Sequence, residues 1–311
     1  FLDVLRLRDD VYGQPEDVES QASLLIQQAK ESTGKGFSID TTLSAGKMML
    51  EMLFDEQKAK AKAEAVDSGT NGAEEEKGDA EDCVPAVLDQ LGNIVPMSLQ
   101  GIETILSVNY ASPESGLEPF TRLAQTRSLI MATLCKLSHS QRANVPLTEH
   151  LACYVLSSVW DYKDPFLKHL IDAQVDMYFC LADSLVDRLS TMWITDEQER
   201  LLVADEETSE KVIPNPRTLG IDSPYCTEDM NLVKKLVVLC VAKSVELAHL
   251  VNDTYGLQNA ITYFYNLHLS VFRNKWYHVV SEDVRLFLKQ ASEVIAQFPV
   301  DTIDAAGKPN R

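Results

Sequence analysis

Between Leu232 and Val251 the chain reads Leu-Val-Lys-Lys-Leu-Val-Val-Leu-Cys-Val-Ala-Lys-Ser-Val-Glu-Leu-Ala-His-Leu-Val, a run that severely limits what this protein can fold into. Its apolar residues fall nearly all the way round a helical wheel of period about 3.6, the pattern of a helix buried on several sides. Lys and Glu interrupt it too often for a bilayer span. Thr227 is placed to cap its start, Glu228 and Asp229 suit the positive end of the helix dipole, and Gly256 offers a stop. The whole segment Thr227–Phe298 is therefore expected to be the centre around which the chain packs.

With 311 residues, 45% of them hydrophobic, the chain can bury one large core or two modest ones. A formal net charge of −19 argues against binding nucleic acid or an anionic membrane surface, because both reward a basic face. The six cysteines, several inside apolar helical stretches, read as reduced core thiols of an intracellular, reducing compartment. No run approaches a membrane-spanning length, so membrane insertion is not expected. Phe1 in place of an initiator methionine is read as the mark of a processed chain or of a segment of a longer one.

The fold class expected is all-α: about ten helices, paired and antiparallel, in a solenoid-like or irregular bundle, since no period-2 strand pattern occurs. Residues 1–65 read as a helical hairpin region, its second helix following Asp40. Residues 66–82 read as an acidic linker or loop with almost nothing to bury, and 83–311 as the main helical domain. Within the latter, Pro85–Leu91 is expected as a short helix, and Asn144 with Pro146 as a helix start. A long helix is expected to end near Trp193, and Thr195-Asp-Glu-Gln198 to cap a further helix. Leu257 to about Val280 reads as one helix, followed by another beginning after Ser281.

Four residues carry the sharpest chemical pattern. Cys135 and His139 lie one turn apart near the end of one helix, His150 and Cys153 near the start of the next, and two thiolates with two imidazoles suit tetrahedral zinc. The competing reading is two core cysteines and two histidines at a polar edge. Asp172, Asp176, Asp183 and Asp187 share one side of the long helix, as helix-borne magnesium ligands would, or as a solvated acidic face would. Glu246 and His249 have the Glu-x-x-His spacing of carboxylate-bridged di-iron bundles, without the second copy such a site needs. Nucleophile motifs, Gly-rich phosphate loops and dinucleotide fingerprints do not occur.

The segment from Tyr263 to His278 is dense in aromatic and basic residues. Arg273, Lys275, Trp276 and Tyr277 form its candidate partner-binding patch, since aromatic and Arg side chains dominate interface energetics. Tyr263, Leu267 and Phe272 are expected in the core. The function these features favour is a non-catalytic helical interaction or scaffold module, a subunit or segment of a larger complex, with another protein as partner and no cofactor. The alternative is an all-α metal-supported enzyme, with zinc at the Cys135/His139/His150/Cys153 hairpin or a metal along the Asp172–Asp187 helix.

Overall fold

A computed structural model describes residues 18–31, 35–67, 87–89, 91–107, 122–158, 160, 167–203, 221, 226–274 and 282–297. Among these the protein is all-α, with ten helices and no strand. They are α1 (Val18–Glu31), α2 (Lys35–Asp67), α3 (Leu99–Leu106), α4 (Arg122–Gln141), α5 (Val145–Ser157), α6 (Lys168–Val203), α7 (Glu228–Leu250), α8 (Thr254–Leu267), α9 (Leu269–Asn274) and α10 (Glu282–Gln297). No described helix is long and apolar enough to cross a membrane. The chain forms two compact units, Phe1–Asp161 and Tyr162–Arg311.

In the first unit α1 and α2 pack against each other and against α4, while α5 packs on α4 and α2 and carries α3. Helix α2 starts at Lys35, ahead of the expected start after Asp40. The hydroxyl residues around Asp40 lie inside the helix and bond backbone carbonyls. Thr41 and Thr42 return their hydroxyls to the carbonyls of Phe37 and Ser38, and Ser38 donates across to the Ala29 carbonyl of α1 at 2.7 Å. Of the expected linker, Val66 and Asp67 belong to α2, and residues 68–82 lie outside the described residues.

Arg127 of α4 ties α1 and α2 down. Its Nε donates to Glu19 of α1 at 2.6 Å, and its two terminal nitrogens hold both carboxylate oxygens of Glu56 of α2 at 2.8 and 2.7 Å. Bidentate geometry of this kind fixes orientation as well as distance. Further along α2 toward its start, Gly46 lets α2 approach α5: a Cβ at this position would lie 2.6 Å from Cδ1 and 2.8 Å from Cδ2 of the fully buried Leu147. Asn144 caps α5 as expected, its side chain accepting the Leu147 N–H at 2.8 Å.

The helix expected at Pro85–Leu91 is instead a tight turn among its described residues. Leu88 and Ile94 form an isolated antiparallel bridge, and Gly92 takes a left-handed φ of 76°. Asp89 explains the difference: its carboxylate accepts the N–H groups of Leu91 and Asn93, each at 2.8 Å, so a short local bond satisfies the backbone where a helix would have done so.

In the second unit α7 is the hub, packed against α6, α8 and α10. Thr227 caps it, accepting the Met230 N–H at 3.3 Å, with Glu228 and Asp229 in the first turn as expected. Its stop is not Gly256. The helix ends after Leu250, Asn252 takes a φ of 55°, and Asp253 at once caps α8 through the Tyr255 N–H. Gly256 lies inside α8, where a Cβ would collide with the Asp253 carboxylate and sit 3.4 Å from Val175 of α6. Thus α7 packs as the expected centre, but of the second unit only, since the first has its own core.

Two further helix boundaries differ from the expectation. Helix α6 runs unbroken through Thr195 to Val203, so the capping-box pattern there does not begin a helix. A capping residue acts only where the chain enters from an extended conformation, and no Pro or Gly between 166 and 203 forces that entry. Conversely, the stretch expected as one helix from Leu257 breaks at His268 into α8 and α9.

Candidate functional site

Helices α4 and α5 do bring the Cys/His hairpin together as packed neighbours, yet its four side chains are not gathered around a common point. Among the described residues no group of three or more His, Cys, Asp or Glu side chains is placed to hold a metal ion. Cys135 is fully buried, with its thiol directed at the Thr148 carbonyl at 3.7 Å. Cys153 is buried as well, and burial together with the nearby Glu149 pushes its thiol above the ordinary range. The His150 ring bonds the Val95 carbonyl at 2.8 Å, and His139 is half-buried on α4. A polar seam runs through the same interior, with Ser138 and Thr148 sharing a hydrogen bond of 2.8 Å and Gln141 donating to Ser38 at 2.7 Å.

The aspartates of α6 are neither a metal row nor a uniformly solvated face. Burial raises the pKa of Asp172; Lys168 pulls it back, and Asp253 and Asp176 push it up again, so one end of the row faces the cap of α8. Further along, Asp183 accepts the Tyr263 hydroxyl at 2.5 Å. Glu246 forms an ion pair with Lys243 at 2.8 Å, one turn away on α7.

The aromatic segment is built in two layers. Phe264 is 3% exposed and meets Phe287 of α10 at a centroid distance of 4.2 Å and His268 at 4.5 Å. Tyr263, Leu267 and Phe272, expected in the core, are partly buried and pack against it. Outside them, Tyr265 stacks on Phe272 with centroids 5.5 Å apart and planes 15° from parallel, while remaining 48% exposed. Arg273 follows and is exposed. Lys275, Trp276 and Tyr277 lie outside the described residues. Sequence reasoning had not singled out Tyr265. Its signal is the spacing of seven to Phe272, two helical turns that the break at His268 still leaves in register.

The fold and these groups define an all-α protein of two helical units, with the half-exposed Tyr265–Phe272 stack at the α8–α9 junction. No protein-family model, curated protein or solved structure matches the chain.

Proposed function

We propose that this protein is a non-catalytic helical interaction module, a part of a larger assembly, and that it receives a partner protein on the surface formed by α8 and α9. The observation that carries the reading is the Tyr265–Phe272 stack: its inner ring is anchored on the core, its outer ring is half in solvent, and Arg273 stands exposed beside it. A rigid aromatic already held in place loses little entropy on binding, and Tyr and Arg are, with Trp, the side chains enriched where interface energy concentrates. On a chain of net charge −19, a basic aromatic patch favours an acidic partner segment. The groups on which the metal-supported alternative rests support the same reading, because Cys135, His150 and Asp183 each engage a neighbouring group of the fold.

The test is quantitative capture of partners by the full chain and by a Tyr265→Ala/Arg273→Glu variant. A partner held by the wild type and weakened by about 2 kcal/mol or more in the variant, roughly thirtyfold, is expected, with melting nearly unchanged. An identical partner set with unchanged affinities refutes this surface.

A further inference from the structure

The turn at 87–95 and the face of α2 beside it leave a half-open groove with no role in anything described above. Glu51, Phe54 and Asp55 of α2 line it together with Val87 and Leu88, and it holds about 330 Å³. That is the small end of the roughly 300–1,000 Å³ of ligand pockets, room for one or two side chains. Its apolar side chains, Phe54, Val87 and Leu88, are half-buried, whereas Glu51 and Asp55, one helical turn apart, are exposed. Neither carboxylate has a cationic partner among the described residues.

The walls are held in place before anything binds. Asp89 accepts from the backbone of Leu91 and Asn93 and from the Asn93 side chain at 3.0 Å, and the Val95 N–H donates to the Val87 carbonyl at 2.9 Å. From α2, Lys47 donates to the Gly92 carbonyl at 2.6 Å; from α5, His150 bonds Val95. A turn fixed from two helices spares a ligand the entropy of ordering it. At its tip Leu91 is 86% exposed, the most exposed large apolar side chain among the described residues. The ring of Phe54 already draws a cation, since the Lys58 ammonium lies 5.9 Å from its centroid.

We propose that this groove docks a basic, extended segment of another protein, one Lys or Arg laying its aliphatic stem on Phe54, Val87 and Leu88 and its charged head between Glu51 and Asp55. An apolar side chain two residues along the same segment covers Leu91, the spacing at which an extended chain returns a side chain to one face. The charge complementarity is local: Lys47 is committed to Gly92, and the exposed rim carboxylates have no cationic partner among the described residues. This surface belongs to the first unit and stands or falls independently of the one on α8 and α9.

The probe is an octapeptide repeating Ser-Arg-Ser-Leu, titrated into the isotope-labelled full chain at near-physiological salt, with Glu in place of Arg as control. Saturable shifts concentrated on Phe54, Val87, Leu88 and Leu91 are expected, with no binding of the Glu peptide. Asp55→Lys and Leu91→Ser should each weaken binding tenfold or more, while Tyr265→Ala/Arg273→Glu leaves it unchanged. The proposal is overturned by shifts scattered over the acidic surface, by no saturable shift at the groove, or by wild-type affinity in Asp55→Lys and Leu91→Ser.

Discussion

Replacing Gly46 by alanine sets two well-measured effects against each other. In a helix interior Ala is better than Gly by about 1 kcal/mol, so propensity alone predicts stabilisation. The new methyl, however, would lie 2.6 and 2.8 Å from the two terminal carbons of Leu147, about 1 Å inside the optimal carbon–carbon separation. Leu147 is fully buried, so its rotation out of the way must displace further core atoms, and overpacking of this kind costs about 1–3 kcal/mol. The expected balance is a loss of about 1 kcal/mol in the first unit. Denaturant unfolding followed by Trp160, which is 2% exposed, reports that unit if Trp193 and Trp276 are replaced by Phe. The decisive control is Leu147→Ala, which by itself should cost about 2–5 kcal/mol. In that background the methyl at 46 enters the vacated space, and Gly46→Ala should turn from harmful to neutral or stabilising, a coupling of about 1 kcal/mol or more. A gain in stability from Gly46→Ala with wild-type Leu147 in place would refute the argument that helix approach is limiting.

Two further expectations concern pH. Burial, reinforced by Asp183, holds the Tyr263 phenol above its ordinary value of 10.0, so the folded chain keeps a proton that the unfolded chain releases, and stability falls as pH rises past about 10. Tyr263→Phe should cost about 1–3 kcal/mol at neutral pH and flatten that alkaline slope, measured as the denaturation midpoint between about pH 8 and 11. His150 is shifted the other way: burial, opposed by its bond to the Val95 carbonyl, lowers it from 6.5, so the unfolded chain takes up the proton first and stability is lost as pH falls below about 6.5. In His150→Gln the acid slope between about pH 7 and 5 should shrink; an unchanged slope would assign it to other groups.

Features governed by neighbouring residues were legible in the sequence. Thr227 and Asn144 cap α7 and α5 because a cap needs only its own side chain and the next few amides. The broad apolar surface of α7 likewise announced a helix packed on several sides. Features decided by partners distant in sequence were not legible. Nothing local to Thr195 says that α6 continues, and nothing local to Ser38 says that its hydroxyl bonds Ala29. Asp89 is an intermediate case: Asp followed by Gly92 and Asn93 is turn chemistry, but apolar residues around it suggested a helix. At the Cys/His hairpin the spacing correctly placed two pairs on neighbouring helices. Where each side chain points depends on α4–α5 packing, which spacing does not encode, and that packing sends Cys135 to Thr148 and His150 to Val95.

The arrangement around α7 also orders events during synthesis. One face of that helix, Val238, Val241, Val245 and Ala248, is covered in part by Val284, Phe287 and Ala291 of α10, which follow it in the chain. At roughly 5–20 residues per second the ribosome leaves that valine-rich stripe without α10 for seconds after α7 has been made. A helix that is safe only when surrounded is, for that interval, a sticky surface on a nascent chain, and chaperone contact should concentrate there until residues 282–297 have emerged.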